Sequence, residues 1–565
     1  MKNSFKDKFK RLCFEVVYIA LILADVCIRI RQLIRQRFAR RNVRAIEIDK
    51  LTREYCEFNK SHLKPVEATA NAFVLMDCFP IPVWVVVNGI LAHHLAERHA
   101  AKNCSYGVSA RDPLTDALYE SFGCRSHLLI RLSATGRKRR RKLFVDTIAS
   151  LKSKKDLFYL SINGVQIGDE IYETFLRMFS KHTAELGSFK CGYAIFIALN
   201  YYLFFESFFA KNKVSAVVLS HDIYISMGIL AKIAWRNGIP VYLANGYEMK
   251  MTTGPDQKFQ EFSRYHEYFS RLPLEAQEKG IAWGKAQIAK RLGGDVGVNM
   301  GYSTKSAYTA EKLERQTLAS NRTKIVIATH CFFDNPRAYG GMLFTDFYEW
   351  ITFLGQISEI TDYDWYIKTH RDYLPGTMEA IKLLCERWPK LKLINPSTTW
   401  HQLKEEGISI ALTCYGSIGH ELPLLGYKVI NAGYNPHIAY NFNWHGKTLD
   451  EYRDLLLNLN GLGEIRDLEA VYEFYFVHYN LSKQGGFLFN SFEEMENYVG
   501  KDVNSNLIFE RVIAGGQNFQ DEAKRSINTF LDSGNFSVSE MLILSSSVRA
   551  DQIHRGFSRS QYGKR

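Results

Sequence analysis

The sequence predicts an α/β protein: two doubly wound domains in tandem, preceded by an amphipathic basic helix. Three observations lead there. From residue 66 onward short apolar runs alternate with helical stretches, the strand–helix–strand rhythm of a parallel sheet. That rhythm breaks in the glycine-rich stretch RLGGDVGVNMGYSTK at 291–305 and then restarts. Positive charge, finally, is gathered at the N-terminal end around an apolar segment.

Composition narrows the class. The chain has 565 residues, 46% hydrophobic and 23% charged, which excludes a disordered chain, a collagen-like repeat and a polytopic membrane protein. Ten cysteines with no C-x-x-C pair are too sparse for a disulfide scaffold or a zinc module and fit reduced thiols in a cytosolic setting. Residues 1–41 hold eleven Lys/Arg against Asp7, Glu15 and Asp25, which is +8 of the total +13. Charge gathered at one end, not along a folded face with interleaved aromatics, argues against nucleic acid as the partner.

The apolar stretch Leu12–Ile30 is interrupted by Glu15 and Asp25, and its longest uncharged run, Val16–Ala24, is nine residues. Spanning a bilayer takes about 20 residues, and no small-residue cleavage site follows, so neither a transmembrane helix nor a signal peptide fits. Ile28, Leu33, Ile34 and Phe38 then alternate with Arg29, Arg31, Arg35 and Arg37. A basic amphipathic helix of this kind lies in the headgroup layer of an anionic membrane surface; the alternative is packing on its own domain or a partner subunit. The basic run Arg137–Lys142 reads as a solvated loop able to reinforce that contact.

In order along the chain, 1–45 is the membrane-associating segment and 46–300 the first domain. Strands are expected at Val83–Val87, Leu128–Leu132, Leu157–Ser161, Ala216–Ser220 and Pro240–Leu243, with helices at Ile90–His99, Leu114–Phe122, from Glu170, and at Ile225–Arg236. The aromatic run Tyr201–Phe209 reads as core helix. After a boundary near 290–325, the second domain (301–500) has strands at Lys324–Ala328, Trp365–Lys368, Leu391–Ile394, Ile408–Cys414 and Lys428–Asn431, and helices at Thr399–Glu406 and Ile418–Leu425. Residues 501–565 read as C-terminal helices, one at Val538–Val548, and a basic tail from Arg549.

Ligands of open parallel sheets bind at the carboxyl ends of the strands. Three such ends in the second domain finish in polar or small residues: His330, His370 after Lys368, and Cys414-Tyr-Gly416-Ser417. Gly416 permits close backbone approach, the amides of Ser417, Ile418 and Gly419 face an anion, and Glu421, one turn on, suits ribose hydroxyls. Together these favour a nucleotide mono- or diphosphate.

The segment Lys368-Thr-His370 … Gly416-Ser-Ile-Gly-His-Glu421-Leu-Pro-Leu-Leu-Gly426-Tyr-Lys-Val-Ile430 resembles the donor half of GT-B glycosyltransferases of bacterial capsule and lipopolysaccharide assembly, including capsular Kdo-transferase relatives. It departs from that pattern in Thr369 and Arg371, where prolines are usual, and in Tyr427-Lys428. Thr329 to Trp350, Gly168 to Tyr172 and Ser220-His221-Asp222 resemble surface-carbohydrate proteins more weakly. The resemblance implies two Rossmann-like domains facing a cleft and a metal-independent transfer from a nucleotide sugar, itself a substrate, with no cofactor. The acceptor implied is a lipid-linked saccharide or polysaccharide, with the enzyme peripheral on the cytoplasmic face of the membrane. In this frame Lys368, His370, Gly416 and Ser417 hold phosphate, Glu421 the ribose, and His330 and Asp334 the rest of the donor. The acceptor base comes from the first domain: Asp222 first, then His221 and Asp169, with Glu248 behind them. A nucleotide-sugar 2-epimerase on the same frame and a non-catalytic assembly subunit are the alternatives.

Two other signals are set aside. Gly446-Lys447-Thr448 lacks the rest of a phosphate loop. His93, His94, Glu97 and His99 lack the H-E-x-x-H order and are expected on an exposed helix face.

Overall fold

The computed structural model describes residues 12–27, 30, 50–69, 71–79, 81–300, 303–339, 341–499 and 506–544. The chain forms two compact units. The first comprises residues 1–175, 184–255 and 484–541, the second 176–183, 256–483 and 542–565.

The first unit carries β1 (Ala72–Met76), β2 (Lys102–Gly107), β3 (Ser126–Leu129), a hairpin of β4 (Ser161–Ile162) and β5 (Val165–Gln166), β6 (Lys213–Leu219), β7 (Val241–Ala244) and β8 (Met249–Thr252). Its main sheet runs β3-β2-β1-β6-β7-β8, parallel except for β8, which is antiparallel to β7. The outer edge of β8 is covered by residues 536–537, through Met251 N to Phe536 O at 2.8 Å. The second unit has β9 (Lys324–Ala328), β10 (Asp364–Lys368), β11 (Leu391–Leu393), β12 (Ile408–Thr413), β13 (Lys428–Ala432) and β14 (Trp444–Gly446). They form a wholly parallel sheet in the order β11-β10-β9-β12-β13-β14. Each order is the doubly wound 3-2-1-4-5-6 pattern, so both units are Rossmann-like. The central strands are covered on both faces, which is why they read as unbroken apolar runs such as Ile325-Val326-Ile327 and Val217-Val218-Leu219.

Several expected elements fall elsewhere. Val83–Val87 belongs to the helix Pro82–Arg98. Pro82 opens that helix, where a missing N–H does no harm, and burial of thirteen of its residues explains the β-branched run. Leu157 lies in the short helix Lys154–Phe158, whose Ser153–Asp156 capping box closes its first turn. The strand expected at Leu128–Leu132 is β3, displaced toward the N-terminus by its pairing of Cys104 with Ser126. Arg137–Lys142 is no loop: it sits in the helix Ala134–Ser150, capped by Ser133. Tyr201–Phe209 does lie in a core helix, Phe189–Lys211, which is long and apolar enough to cross a membrane but mostly buried.

In place of a boundary near 290–325, the chain passes between the units at 255/256 and 483/484, with a short excursion at 176–183 and a last crossing at 541/542. The helices Tyr265–Ser270 and Leu274–Leu292 give their apolar faces to a core with Phe474, Phe476 and Val477 of the helix Ala470–Tyr479, and so belong to the second unit. Residues 484–541 return to the first, where Phe509 stacks on Tyr55 with ring centroids 4.4 Å apart. Of the expected membrane-associating segment 1–45, residues 1–11, 28–29 and 31–45 lie outside the described residues, as do 545–548 of the expected helix Val538–Val548 and the basic tail from Arg549.

Candidate functional site

A doubly wound sheet opens at the point where its strand order reverses. In the second unit that point lies between β9 and β12. His330 follows β9, and Thr413 to Ser417 turn out of β12. Thr413 Oγ1 accepts the amide of Gly416 at 2.9 Å and bonds His330 Nε2 at 3.0 Å. The Cys414 amide donates to the same Nε2 at 3.2 Å. Because Nε2 accepts, the neutral ring carries its proton on Nδ1. Burial pushes His330 down to about 3, so the imidazole stays uncharged at neutral pH. It stacks on Phe347 at 4.6 Å and packs on Tyr415 at 4.5 Å. A Cβ on Gly416 would stand 2.8 Å from Thr413 Oγ1, so only glycine fits this turn without displacing the network.

Three amides were expected to face an anion here. Gly419 N is committed to Gly416 O at 2.9 Å, which leaves the Ser417 and Ile418 amides with no acceptor among the described residues. The following α-helix is a single turn, Ile418–Glu421, passing into a 3₁₀ turn at Leu422–Leu425, so its dipole is small. Glu421 is buried, one carboxylate oxygen bonded to Arg291 Nε and the other to Tyr308 OH. A ribose would have to share a carboxylate that is already held at both ends. Arg291 and Tyr308 are residues that sequence reasoning missed. Both lie in or beside the stretch read as linker, and with His370, Lys305, Ser303 and Ser306 they line a small cavity.

The remaining donor-side residues divide. His370 lines that cavity and accepts the Asp372 amide on Nδ1 at 3.0 Å. Lys368 does not reach the turn. Its buried amine donates to Pro396 O at 3.0 Å, in the loop after β11, above the Trp400 ring, and burial pushes it down to about 7. Asp334 pairs with Arg177 at 3.2 Å, within the same unit.

In the first unit the reversal lies between β1 and β6. It brings together Asp77, after β1, and Ser220-His221-Asp222, after β6. Asp77 Oδ2 accepts both the amide and the hydroxyl of Ser220, the amide at 2.9 Å. Burial raises the Asp77 carboxyl to about 6. Sequence reasoning missed Asp77 because β1 itself was not recognised. The His221 ring packs against Phe79 at 5.4 Å and Trp84 at 5.6 Å, and Asp222 is nine-tenths buried. Just beyond, Tyr224 takes φ 63° and opens a single π-helical turn, Tyr224–Gly228. Left-handed non-glycine backbone and isolated π turns gather at functional sites. The catalytic candidate Asp169 lies on the helix Gly168–Phe179, whose Thr174 hydroxyl accepts the Ile225 amide of this π turn at 2.9 Å. Asp169 is paired with Lys232, which also reaches Glu170 at 3.0 Å, and the Glu170 carboxylate packs on Gly228. Glu248 pairs with Lys250 at 3.0 Å on β8.

His93, His94 and Glu97 are the one group of three potential metal ligands found among the described residues, with ligand atoms within 4.8 Å. Both histidines are buried, not exposed as expected. His93 Nδ1 bonds Phe122 O, His94 Nδ1 meets Glu97, and Lys524 holds the other Glu97 oxygen at 2.7 Å. These partners hold the group as packing between helices, in the last turns of Pro82–Arg98, while the buried His94 Nε2 has no hydrogen-bond partner among the described residues.

No protein-family model and no curated protein matches the chain. Among solved structures it is similar to the Thermosulfurimonas dismutans KpsC beta Kdo 2,4 transferase, at 11% identity over 48% of this chain and 85% of that one, TM-score 0.28. It is similar to the UDP-GlcNAc 2-epimerase from Neisseria meningitidis bound to UDP-GlcNAc, at 10% identity over 71% and 97%, TM-score 0.19. A variant of the Thermobaculum terrenum O-GlcNAc transferase is 12% identical over 84% and 74%, TM-score 0.20. With TM-scores this low, the fold rests on the two sheet orders and not on these likenesses.

Proposed function

We propose that the protein is a GT-B-type glycosyltransferase that moves a sugar from a nucleotide-sugar donor to a lipid-linked or polysaccharide acceptor in bacterial surface polysaccharide synthesis, at the inner face of the cell membrane. One observation carries the reading: the turn at 413–418, at the reversal point of the second sheet, presents two amides with no acceptor among the described residues, beside a neutral histidine. Diphosphate leaving groups are stabilised by such donors, placed before charge develops.

In this reading the amides of Ser417 and Ile418 receive the phosphate, and His330 contributes an Nδ1–H donor. His370 and Lys305 line the neighbouring cavity as further cationic or hydrogen-bonding groups for the donor, where Arg291, held by Glu421, fixes the wall. As the sugar–phosphate bond breaks, negative charge on the leaving oxygen falls on these donors. The acceptor hydroxyl gives its proton to Asp222, which lies at the corresponding point of the first sheet. Asp77 is a positioning residue there, holding the end of β6 through Ser220.

The test incubates purified protein with radiolabelled nucleotide sugars, with and without a membrane extract as acceptor. Label moving to the lipid or polysaccharide fraction, and lost in Asp222→Asn, supports transfer. An epimeric sugar formed from donor alone supports the epimerase alternative, and neither product with any donor overturns both.

A further inference from the structure

Two features far apart in sequence meet on the first unit. Residues 12–27 form a helix whose inner side is fastened to the helices Ala134–Ser150 and Phe189–Lys211. Tyr18 and Leu21 are buried there, the Tyr18 ring lying 5.4 Å from Phe144 and 5.8 Å from Phe196. Arg140 Nε donates to Tyr18 OH at 3.0 Å, and Arg141 pairs with Glu15 at 2.7 Å.

The outer side is apolar throughout. Leu12, Val16, Ile19, Leu23, Val26 and Ile30 are 45–61% exposed. Their spacing of four and three residues places them on one stripe, about 21 Å long from Leu12 to Val26 at 1.5 Å per residue. Cys13, Ala20 and Cys27 are the other exposed residues of 12–27, so no charge interrupts this face. The acids Glu15 and Asp25 are half-buried. Beside it, the Ala134–Ser150 helix exposes Arg137, Lys138, Arg139, Arg141 and Lys142. The sequence adds five Lys/Arg before residue 12 and six Arg between 29 and 41.

We infer that this face docks on an anionic lipid bilayer, the stripe entering the acyl boundary and the basic helix beside it meeting the headgroups. An exposed apolar band of this length marks an interaction surface. Its charge pattern selects the occupant. A helix paired with a second copy carries charges along both flanks of its seam to set register. Here one flank holds Cys13, Ala20 and Cys27, the single acid of the other flank, Glu15, is already paired with Arg141, and further exposed cations stand on the neighbouring helix, the arrangement that suits an in-plane helix on anionic lipid. The inference rests on the membrane placement proposed above and is independent of the nucleotide site.

The experiment sediments the full chain with vesicles of phosphatidylcholine alone and of phosphatidylcholine with phosphatidylglycerol. Wild type is expected to bind the anionic vesicles at least tenfold better and to release in high salt. Ile19→Glu with Leu23→Glu, both exposed, abolishes binding, and Lys138→Glu with Lys142→Glu weakens it more than tenfold. Each variant keeps the wild-type melting temperature and its response to nucleotides. Equal binding to neutral vesicles overturns the inference. So does absence of vesicle binding, whether or not sedimentation equilibrium shows a dimer that Ile19→Glu dissociates.

Discussion

At the scale of single residues, two buried carboxylates carry separate predictions. Asp77 is raised by burial from 3.8 to about 6. The folded state therefore holds a proton that the unfolded chain has released between about pH 4 and 6, so stability falls as pH rises through that window. The shift corresponds to about 3 kcal/mol. Asp77→Asn keeps an oxygen for the Ser220 amide and removes the titration. Urea melts at pH 4.5 and 7 are expected to differ less in the variant than in wild type by an amount of that order. Glu421 is held differently, each carboxylate oxygen accepting one bond, from Arg291 Nε and from Tyr308 OH. Glu421→Gln leaves a buried guanidinium without its counter-ion and is expected to cost about 3–5 kcal/mol in urea unfolding. A loss below 1 kcal/mol shows that the pair does not hold this wall of the site.

At the scale of elements, legibility followed burial and local closure. β9, β10, β12 and β13 are recognisable because strands covered on both faces must be apolar from end to end. β2, with the sequence KNCSYG, has no such run although Asn103, Cys104, Ser105 and Tyr106 are buried, and it was missed along with β1. Val83–Val87 has the composition of a strand, and only Pro82 at the first helical position marks it otherwise. The turn at Gly416-Ser417 was readable from its own residues. The Arg291–Glu421 contact was not, because it joins residues far apart in sequence through tertiary packing alone. The two glycines of this element separate function from fold. Gly419→Ala brings a Cβ within 2.3 Å of the buried His437 ring and is expected to destabilise by about 1–3 kcal/mol through overpacking. Gly416→Ala, at a half-buried position, sets a Cβ 2.8 Å from the buried Thr413 hydroxyl, a milder approach, and is expected to weaken nucleotide binding while leaving the melting temperature within a few degrees. Equal loss of melting temperature in both variants contradicts that division.

At the scale of the whole molecule, each unit is assembled from separated stretches of chain. The second-unit core draws on the helices between 256 and 292, and the first on Ile508, Phe509, Val512, Ala523 and Ile527, which follow it in sequence. A fragment of residues 256–483 is expected to unfold cooperatively in urea, and one of 301–500, which lacks Tyr265, Tyr268 and Ile288, is not. The most direct test of the account is a thermal-shift titration of the full chain with CMP, UDP, GDP and TDP, run beside Gly416→Ala. One of the nucleotides is expected to raise the wild-type melting temperature, by about 3 kcal/mol of linkage at a hundredfold excess over Kd, and to raise that of Gly416→Ala much less. No shift with any of the four, or a shift that Gly416→Ala leaves intact, contradicts the assignment of this turn to an activated sugar.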